Sequence, residues 1–454
     1  MIFTLTGCPA DEDGTRDLKY VFLFIGDGMS FNAVQLARDA IASREGSVVP
    51  AELSFTDFDT VGLFTNYDNE SFIPESSSSG TAMATGIKTD SVCIAETSWG
   101  DEKDSIATLL KKELGMKVGI ITTANMNHAT PAVFYGHSAS RYNYYEIGEY
   151  LPQSDFDLFI GGQFLDPEGG GEHLSTLAKK QGYKVIDTPE LIFAEKSKED
   201  KHLIIDPWCD SSGMMQFSID RPAKAPALSD YLKMGIELLD NENGFFVMCE
   251  GGRIDSALHA NDATTAIHEL LAFSDAVETA LDFYEKHPDE TLILVTGDHE
   301  TGGISLGYTG TGYSISSHKL FGQKISYLSF DNEYVTKYKN ENTPFESILK
   351  DAETLFGLDN PNEYEISRLE KAWEKTISGS ESYTEEDRLN YDTRTPITAE
   401  ITRLVANRAG IDFSTYVHTA APMVMWAKGK NESIFGGTYD NTDVYNKLYR
   451  LLLE

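Results

Sequence analysis

The chain has 454 residues, of which 72 are acidic and 37 are Lys or Arg, so its formal net charge is −35 at pH 7. Hydrophobic residues make up 41% of the sequence, which is enough to fill a large core and excludes a disordered or low-complexity chain. The strong negative charge would repel nucleic-acid phosphates, and we therefore expect no nucleic acid as a specific partner.

Residues 1–18 are interpreted as a signal remnant and a polar tether. The tetrapeptide Leu5–Cys8 resembles the cleavage site of bacterial lipoproteins, in which the cysteine becomes lipidated. Too few residues precede it for a full signal peptide, so a chance match is the alternative. No run of about 18 apolar residues occurs, and no transmembrane helix is predicted. We expect a periplasmic or cell-surface location, with Cys8 as a candidate lipid anchor.

Eight short apolar runs have the length of buried β-strands. They cover residues 20–25, 117–122, 157–160, 184–186, 202–205, 245–249, 291–296 and 422–427. Helical patterns lie between them, for example at 104–112, 227–239 and 263–286. Apolar strands that alternate with helices are typical of an α/β fold with a mostly parallel central sheet and helices on both faces.

Residue types that bind metals follow three of these strands. Asp27 follows the first run, Glu250, Asp255 and His259 follow the run that ends at 249, and Asp298 and His299 follow the run that ends at 296. Each of them alone is commonly a helix cap or a turn residue. Parallel strands bring such residues to one edge of the sheet, and i, i+4 spacing puts Asp255 and His259 on one helical face. Carboxylates with imidazoles favour zinc and similar divalent ions.

The segment Ser76–Ser79 precedes a helix-compatible stretch of small residues. A serine at a helix N-terminus faces converging N–H groups and the positive end of the helix dipole, which suits a phosphoryl group. A flexible serine linker is the alternative on composition alone. No G-x-S-x-G elbow supports an acyl hydrolase.

Residues 304–400 are rich in Tyr, Asn, Glu, Ser and Lys. We interpret them as one large insertion between two parts of a catalytic α/β domain, residues 19–303 and 401–454. Insertions at strand ends of α/β enzymes often form lids or partner surfaces, so we expect this one near the mouth of the active site. Decoration of the far surface is the alternative.

As a set, the motifs resemble those of the alkaline phosphatase family. The matching pieces occur in the family's order and are Ile25–Met29, Ser76 with Thr81–Thr89, Ala129–Pro131, His137–Arg141, Glu250–His259, Thr296–Gly303 and His418–Thr419. None of them lies within 304–400. Each piece is weak alone, whereas the ordered set is specific.

The resemblance implies the family's fold and the hydrolysis of small phosphate monoesters through a phosphoserine, in a homodimer that holds two zinc ions and one magnesium ion. Ser76 matches the nucleophile, and Arg141 matches the arginine that binds phosphate. Asp255, His259 and His418 match the first zinc site, and Asp27, Asp298 and His299 match the second. Thr130 and Glu250, with Asp27 as a bridging ligand, match the third site, usually magnesium, and His128 stands near it.

Three residues depart from the family pattern. Glu75 replaces an Asp that helps to hold the arginine, so the arginine is expected to sit differently. His128 replaces an Asp near the third site, which removes one negative charge there. Ser256 stands where many members carry Lys, His or Trp near the phosphate, which predicts weaker phosphate binding.

Other functions remain as alternatives. A phosphodiesterase on the same scaffold differs from a monoesterase in pocket shape, which the sequence does not specify. A sulfatase needs a Cys or Ser in a C/S-x-P-x-R context, which the cysteines do not provide. A non-catalytic metal-binding protein would not explain why Ser76 and Arg141 accompany the ligands.

The four cysteines are Cys8, Cys93, Cys209 and Cys249, and no two of them form a C-x-x-C pair. Cys249 ends an apolar run and is predicted to be a buried thiol. Cys93 and Cys209 are a candidate disulfide in an oxidising compartment.

Overall fold

The structure is a computed structural model that describes residues 17–341, 343–379 and 383–454. The predicted lipid anchor at Cys8 and almost all of the predicted tether lie outside these residues. Within them, no helix is long and apolar enough to cross a membrane.

Ten strands of the described chain form one sheet, in the order β14-β2-β13-β8-β1-β7-β3-β4-β6-β5. Only β13 runs antiparallel to its neighbours, so the sheet is mostly parallel, as predicted. The strands are β1 Tyr20–Gly26, β2 Thr60–Thr65, β3 Lys117–Asn125, β4 Leu158–Gly162, β5 Tyr183–Ile186, β6 Lys201–Ile205, β7 Phe245–Glu250, β8 Thr291–Gly297, β9 Glu300–Thr301, β10 Ile304–Ser305, β11 Asp412–Phe413, β12 His418–Thr419, β13 Met423–Gly429 and β14 Gly437–Asp440. The short strands β9 and β10 pair with β12 and β11 outside the main sheet.

Helices cover both faces of the sheet. They are α1 Phe31–Arg44, α2 Ser76–Thr85, α3 Ile106–Leu114, α4 Ala129–Ala132, α5 Tyr144–Gln153, α6 Leu174–Lys180, α7 Pro189–Ala194, α8 Leu228–Leu239, α9 Gly252–His259, α10 Ala263–Tyr284, α11 Tyr327–Phe330, α12 Thr336–Glu341, α13 Phe345–Phe356, α14 Glu363–Ser378, α15 Glu385–Tyr391, α16 Pro396–Ala409 and α17 Thr442–Leu452. Helices α1, α8 and α10 pack on one face, and α3, α5, α6 and α17 pack on the other.

The central strand β1 shows why its sequence is continuously apolar. Side chains alternate between the two faces of a strand. Phe22 and Phe24 enter one core, and Val21, Leu23 and Ile25 enter the other, so every position of the strand is buried. The same constraint explains why all eight predicted strands are confirmed to within a few residues.

The sequence missed two strands of the sheet, β2 and β14. Both lie at one end of the sheet, where only part of each strand is covered. Val61 and Leu63 of β2 are about half exposed, and β14 is largely polar. These strands therefore lack the continuous apolar pattern that marks the others.

The three described cysteines are free thiols. Cys249 is buried, as predicted. Cys93 and Cys209 form no disulfide, so that prediction is wrong. The thiol of Cys93 contacts the carbonyl of Ala139, and the thiol of Cys209 contacts the carbonyl of Asp206.

The described residues of 304–400 form a mainly helical region whose apolar side chains join the core on the face that α1 and α10 cover. Helix α16 runs across residue 400, so the predicted end of the insertion falls inside a helix. The buried carboxylate of Asp262 caps α10 and ties this region to it. It accepts hydrogen bonds from the backbone N–H of Thr265 (3.0 Å), the Gln323 amide (2.9 Å) and the backbone N–H of Tyr327 (3.0 Å).

The variant Asp262→Ala should strongly destabilise the fold, because it removes a helix cap and leaves donors of Gln323 and Tyr327 buried without an acceptor. We expect a loss of about 3 kcal/mol, measured by urea unfolding of the metal-loaded protein. Glu278→Ala is the matched control, since Glu278 is an exposed acid on the same helix and should change stability by less than about 0.5 kcal/mol. Equal stability of the two variants would contradict the role of Asp262.

Candidate active site

The carboxyl ends of three neighbouring strands bring three carboxylates together. Strand β1 lies between β7 and β8, all three are parallel, and Ile25 stands opposite Glu250 in the register. Asp27 and Asp298 follow β1 and β8 directly, so they lie beside Glu250 at one edge of the sheet. All three carboxylates are fully buried.

A first ligand group consists of Asp255, His259 and His418. The Nε2 atom of His259 lies 3.2 Å from Asp255 Oδ2 and 3.2 Å from His418 Nε2. The Nδ1 atom of His259 donates to the carbonyl of Tyr416 (2.5 Å), and that of His418 donates to the carbonyl of Pro74 (2.9 Å). When both imidazoles are neutral, their Nε2 atoms therefore carry lone pairs that point at each other.

Two lone pairs and a carboxylate at this distance repel one another unless a cation lies between them. The Nε2–Nε2 separation of 3.2 Å is close to the value of roughly 3.3 Å expected for two nitrogen ligands of a tetrahedral zinc ion. The donor set of the first ligand group therefore fits zinc.

A second ligand group consists of Asp27, Asp298 and His299. The Nε2 atom of His299 lies 3.3 Å from a carboxylate oxygen of each aspartate. The same Nε2 atom lies 3.1 Å from the Oγ atom of Ser76.

The hydroxyl of Thr301 sets the tautomer of His299. It donates to Asp255 Oδ1 (2.6 Å) and accepts from Nδ1 of His299 (3.2 Å). In the neutral imidazole, the Nε2 atom of His299 then presents a lone pair to two carboxylates, which is an arrangement that suits a cation.

A third group consists of Asp27, His128 and Glu250, whose ligand atoms all lie within 4.8 Å of one another. The hydroxyl of Thr130 donates to Asp27 Oδ2 (3.4 Å), and the hydroxyl of Thr122 donates to Glu250. Asp27 thus belongs to the second and third groups, which agrees with the bridging position predicted for it.

Several buried atoms of these groups have no hydrogen-bond partner among the described residues. They are Asp27 Oδ1, Asp298 Oδ2, Glu250 Oε1 and His128 Nδ1. An unpaired buried polar atom is costly, and the three unpaired carboxylate oxygens fit ligands of a cation. In the neutral imidazole of His128, by contrast, Nδ1 carries the proton because Nε2 accepts from Arg141. The residues present therefore fit bound divalent ions at all three groups.

Burial and the closeness of the carboxylates to one another also change their pKa values. Burial, with a smaller contribution from neighbouring carboxylates, raises the pKa of Glu250 to about 7 and that of Asp298 to about 8. Burial and the charge of Asp298 also raise the pKa of Asp27 well above its usual range. Without bound cations, protons have to neutralise these groups.

Gly28 makes room for the site. Its φ angle is +71°, and its N–H donates to Asp298 Oδ1 (3.0 Å). A Cβ atom at this position would lie 2.7 Å from the hydroxyl of Thr301 and 2.9 Å from Asp255 Oδ1. Any side chain here would therefore disturb the residues that orient two ligand groups.

Helix α2 begins at Ser76, so the flexible-linker alternative is wrong. The carboxylate of Glu75 caps the helix by accepting from the N–H groups of Ser77 (3.0 Å) and Ser78 (2.8 Å). The hydroxyls of Ser77, Ser78 and Ser79 donate to Glu75, Asp68 and the carbonyl of Asp298, respectively. Of the four serine hydroxyls, that of Ser76 alone contacts His299.

Arg141 lies between Glu75 and His128. Its Nη1 atom is 2.5 Å from Glu75 Oε2, and its Nη2 atom is 3.0 Å from His128 Nε2. Although burial acts in the opposite direction, Arg141 and the donors of Ser77 lower the pKa of Glu75 to about 2. The longer Glu75 side chain thus still holds the arginine. Burial and the positive charge of Arg141 lower the pKa of His128 to about 3, so its imidazole is neutral.

The structure brings all the predicted site residues to one edge of the sheet, and the roles assigned to them remain predictions. Sequence reasoning missed the residues that orient the ligands, namely Thr122, Thr301 and the carbonyls of Pro74 and Tyr416. The polar end of an otherwise apolar strand was a signal for Thr122. The two carbonyls belong to the backbone and leave no sequence signal. Arg253, to which the sequence assigned no role, is buried and pairs with Asp210.

Comparisons with known proteins agree on one family. A family model described as alkaline phosphatase matches residues 18–453, a range that includes 304–400. The chain is 26% identical to alkaline phosphatase 4 of Bacillus subtilis, over 98% of this chain and 90% of that protein. The crystal structure of a cold-active alkaline phosphatase from a psychrophilic Shewanella matches with a TM-score of 0.80 and 25% identity, over 96% of this chain and 100% of that one. The Thermus thermophilus alkaline phosphatase also gives a TM-score of 0.80 at 25% identity, over 97% of this chain and 92% of that one.

Removal of metal should destabilise the protein more at pH 8.5 than at pH 6. The pKa values of Glu250 and Asp298 in the folded chain, about 7 and about 8, exceed the usual value of about 4, so the folded metal-free state binds more protons than the unfolded state. Its stability therefore falls as the pH rises from about 4 to about 8. Bound cations would offset this loss. The thermal midpoint, measured with and without a chelator at both pH values, tests the expectation.

Asp255→Asn should reduce the stabilisation by zinc, whereas Asp275→Asn, an exposed change on α10, should not. A midpoint that is insensitive to chelation at both pH values would contradict cation binding at these groups.

Proposed function

The chain belongs to the alkaline phosphatase family of phosphomonoester hydrolases, and we propose that it releases inorganic phosphate through a phosphoserine formed on Ser76, at a site that holds two zinc ions and one magnesium ion. One observation carries this proposal. The Ser76 hydroxyl stands at the N-terminus of a capped helix and 3.1 Å from Nε2 of His299, a member of the second ligand group.

The first step would be an in-line displacement at phosphorus. A bond forms between Ser76 Oγ and phosphorus, the bond to the leaving oxygen breaks, and the alcohol departs on the side opposite to Ser76. Water then breaks the phosphoserine bond from that same side and frees the serine. When bound, the divalent ions would favour loss of the Ser76 proton and neutralise charge on the entering and leaving oxygens.

The protein's own residues would bind and orient the phosphoryl group. The positive end of the α2 dipole would attract it, whereas the N–H groups of Ser77 and Ser78 already donate to Glu75. Arg141 would donate to its non-bridging oxygens through the planar guanidinium. Glu75 and His128 hold that guanidinium on both sides, so it is oriented before the substrate arrives.

We assign the first and second ligand groups to zinc and the third to magnesium. The first two groups supply imidazoles together with carboxylates, which is a zinc-like donor set. The third supplies the oxygens of Asp27, Thr130 and Glu250, which suit magnesium. His128 is softer and brings no charge, so we propose that magnesium binds weakly in this site.

We further propose that the chain acts as a homodimer outside the cytoplasm, with Cys8 as its lipid anchor. The support is the lipoprotein-like segment Leu5–Cys8 and the family resemblance. Mass measurement in solution and membrane fractionation of the wild type and of Cys8→Ala would test both parts.

Ser76→Ala should abolish phosphoenzyme formation. Rapid acid quench with a labelled monoester should trap the label on Ser76 in the wild type, and turnover of the variant should fall by several orders of magnitude. Ser77→Ala is the matched control, because its hydroxyl contacts Glu75 and not His299.

Label on Ser77, Ser78 or Ser79 would contradict the assignment of the nucleophile. A matched diester should react far more slowly than the monoester. The reverse preference would favour the phosphodiesterase alternative.

His128→Asp should tighten magnesium binding on the order of tenfold, because it adds a charged oxygen ligand to the third group. Calorimetric titration of the zinc-loaded protein measures this, and the magnesium requirement of activity should fall in parallel. His173→Asp is the control, since His173 is a helix cap at which aspartate is well tolerated. Unchanged magnesium affinity would exclude His128 from the third site.

A further inference from the structure

We infer that Arg394, which residues 304–400 contribute, forms a subsite for a second anionic group on the leaving side of the substrate. The inference deepens the proposed function and rests on it. The ligand class would be small phosphate monoesters whose alcohol carries a carboxylate or a second phosphate.

The first observation is a small cavity between the 304–400 region and the catalytic helices. Its volume is about 120 Å³, and Ala260, Tyr327, Arg394 and Thr398 are among the residues that line it. Ala260 directly follows His259 of the first ligand group. One residue that lines the cavity is thus a chain neighbour of a proposed metal ligand, although none of the ligands lines it.

The second observation is that Arg394 has no partner for its charge. It makes no ion pair and no side-chain hydrogen bond with any residue between 17 and 454 that the structure describes, and its Nε atom is buried without a partner. Three other arginines nearby are paired, Arg368 and Arg403 with Glu400 and Arg408 with Glu365.

Arg221 and Arg253 also leave Nε unpaired, but each donates to an aspartate through Nη2. Acidic residues outnumber basic ones by 72 to 37, so acids are abundant in this chain. A half-buried arginine that still lacks one is typical of a site whose partner is a ligand.

Asp331 also lines the cavity, but it does not neutralise Arg394. Its carboxylate accepts a hydrogen bond from Thr398 and makes no ion pair with Arg394. Burial raises the pKa of Asp331.

We place the cavity on the side from which the alcohol leaves. The Ser76 hydroxyl contacts His299 of the second ligand group, and it contacts no residue of the first group. The ring of His299 stacks on His418 at 3.6 Å, and His418 faces His259. We therefore expect the leaving oxygen to lie beside the first ligand group, where Ala260 directly follows His259 and lines the cavity.

The size of the cavity limits what it binds. A volume of about 120 Å³ is small and suits one carboxylate or phosphate group. We therefore expect compact substrates in which a few bonds separate the two anionic groups.

The test compares two substrates that differ only in this group. 3-Phosphoglycerate carries a carboxylate where glycerol 3-phosphate carries a hydroxymethyl group. In the metal-loaded protein, Arg394→Gln should lower the ratio of their kcat/KM values, 3-phosphoglycerate over glycerol 3-phosphate, by about tenfold or more, the effect of losing one charge-assisted hydrogen bond. Arg394→Lys should retain part of the wild-type preference for 3-phosphoglycerate.

Arg388→Gln is the matched control, because Arg388 is an exposed arginine of the neighbouring helix α15 that does not line the cavity. The ratio of the two kcat/KM values in this variant should stay within twofold of the wild-type ratio. An equal change for both substrates in Arg394→Gln, or no change, would overturn the inference.

Calorimetric binding of both esters to the metal-loaded Ser76→Ala protein separates the subsite from the chemistry. Selective loss of 3-phosphoglycerate affinity on adding Arg394→Gln supports the subsite even if turnover through Ser76 proves wrong. Equal affinities of the two esters before and after that substitution overturn the subsite while leaving the proposed function intact.

Discussion

The structure depends on one electrostatic constraint, the convergence of four carboxylates in a buried site. Asp27, Glu250, Asp255 and Asp298 meet at the carboxyl edge of the sheet. Among the residues that the structure describes, Arg141 is the only lysine or arginine that contacts one of the proposed ligands, through His128. Such a concentration of charge is unfavourable unless protons or metal ions neutralise it. Parallel strand topology creates the site, because it directs the ends of β1, β7 and β8 to one place.

The orientation of the imidazoles follows from contacts with neighbouring residues. Backbone carbonyls accept hydrogen bonds from the Nδ1 atoms of His259 and His418, and the hydroxyl of Thr301 accepts one from Nδ1 of His299. In the neutral imidazoles, all three Nε2 atoms are thereby left with lone pairs that face carboxylates. These outer contacts fix the ligands before any ion binds, which is the usual way in which proteins prepare a metal site.

Arg141 and Arg394 are both positioned by contacts between segments that lie far apart in the sequence. Arg141 is held by Glu75, the cap of the serine helix, so the proposed nucleophile and the proposed phosphate-binding arginine depend on one carboxylate. Arg394 comes from the 304–400 region, which Asp262 anchors to α10. Glu75 and Asp262 therefore tie the segments that carry these arginines to helices α2 and α10.

The sequence alone determined the parallel α/β fold, eight of the sheet strands and every side chain proposed as a ligand or nucleophile, because buried strands and helix faces impose periodic patterns and the motifs follow the strands directly. It could not reveal β2 and β14, whose partial exposure erases that pattern. The tertiary structure decided this point, and the position of His299 adds that Ser76, which the family resemblance had singled out, is the serine whose hydroxyl faces the ligands. It also decided the orienting carbonyls of Pro74 and Tyr416 and the cavity at Arg394. These features arise from contacts between residues far apart in the chain, and such contacts leave no local signal in a single sequence.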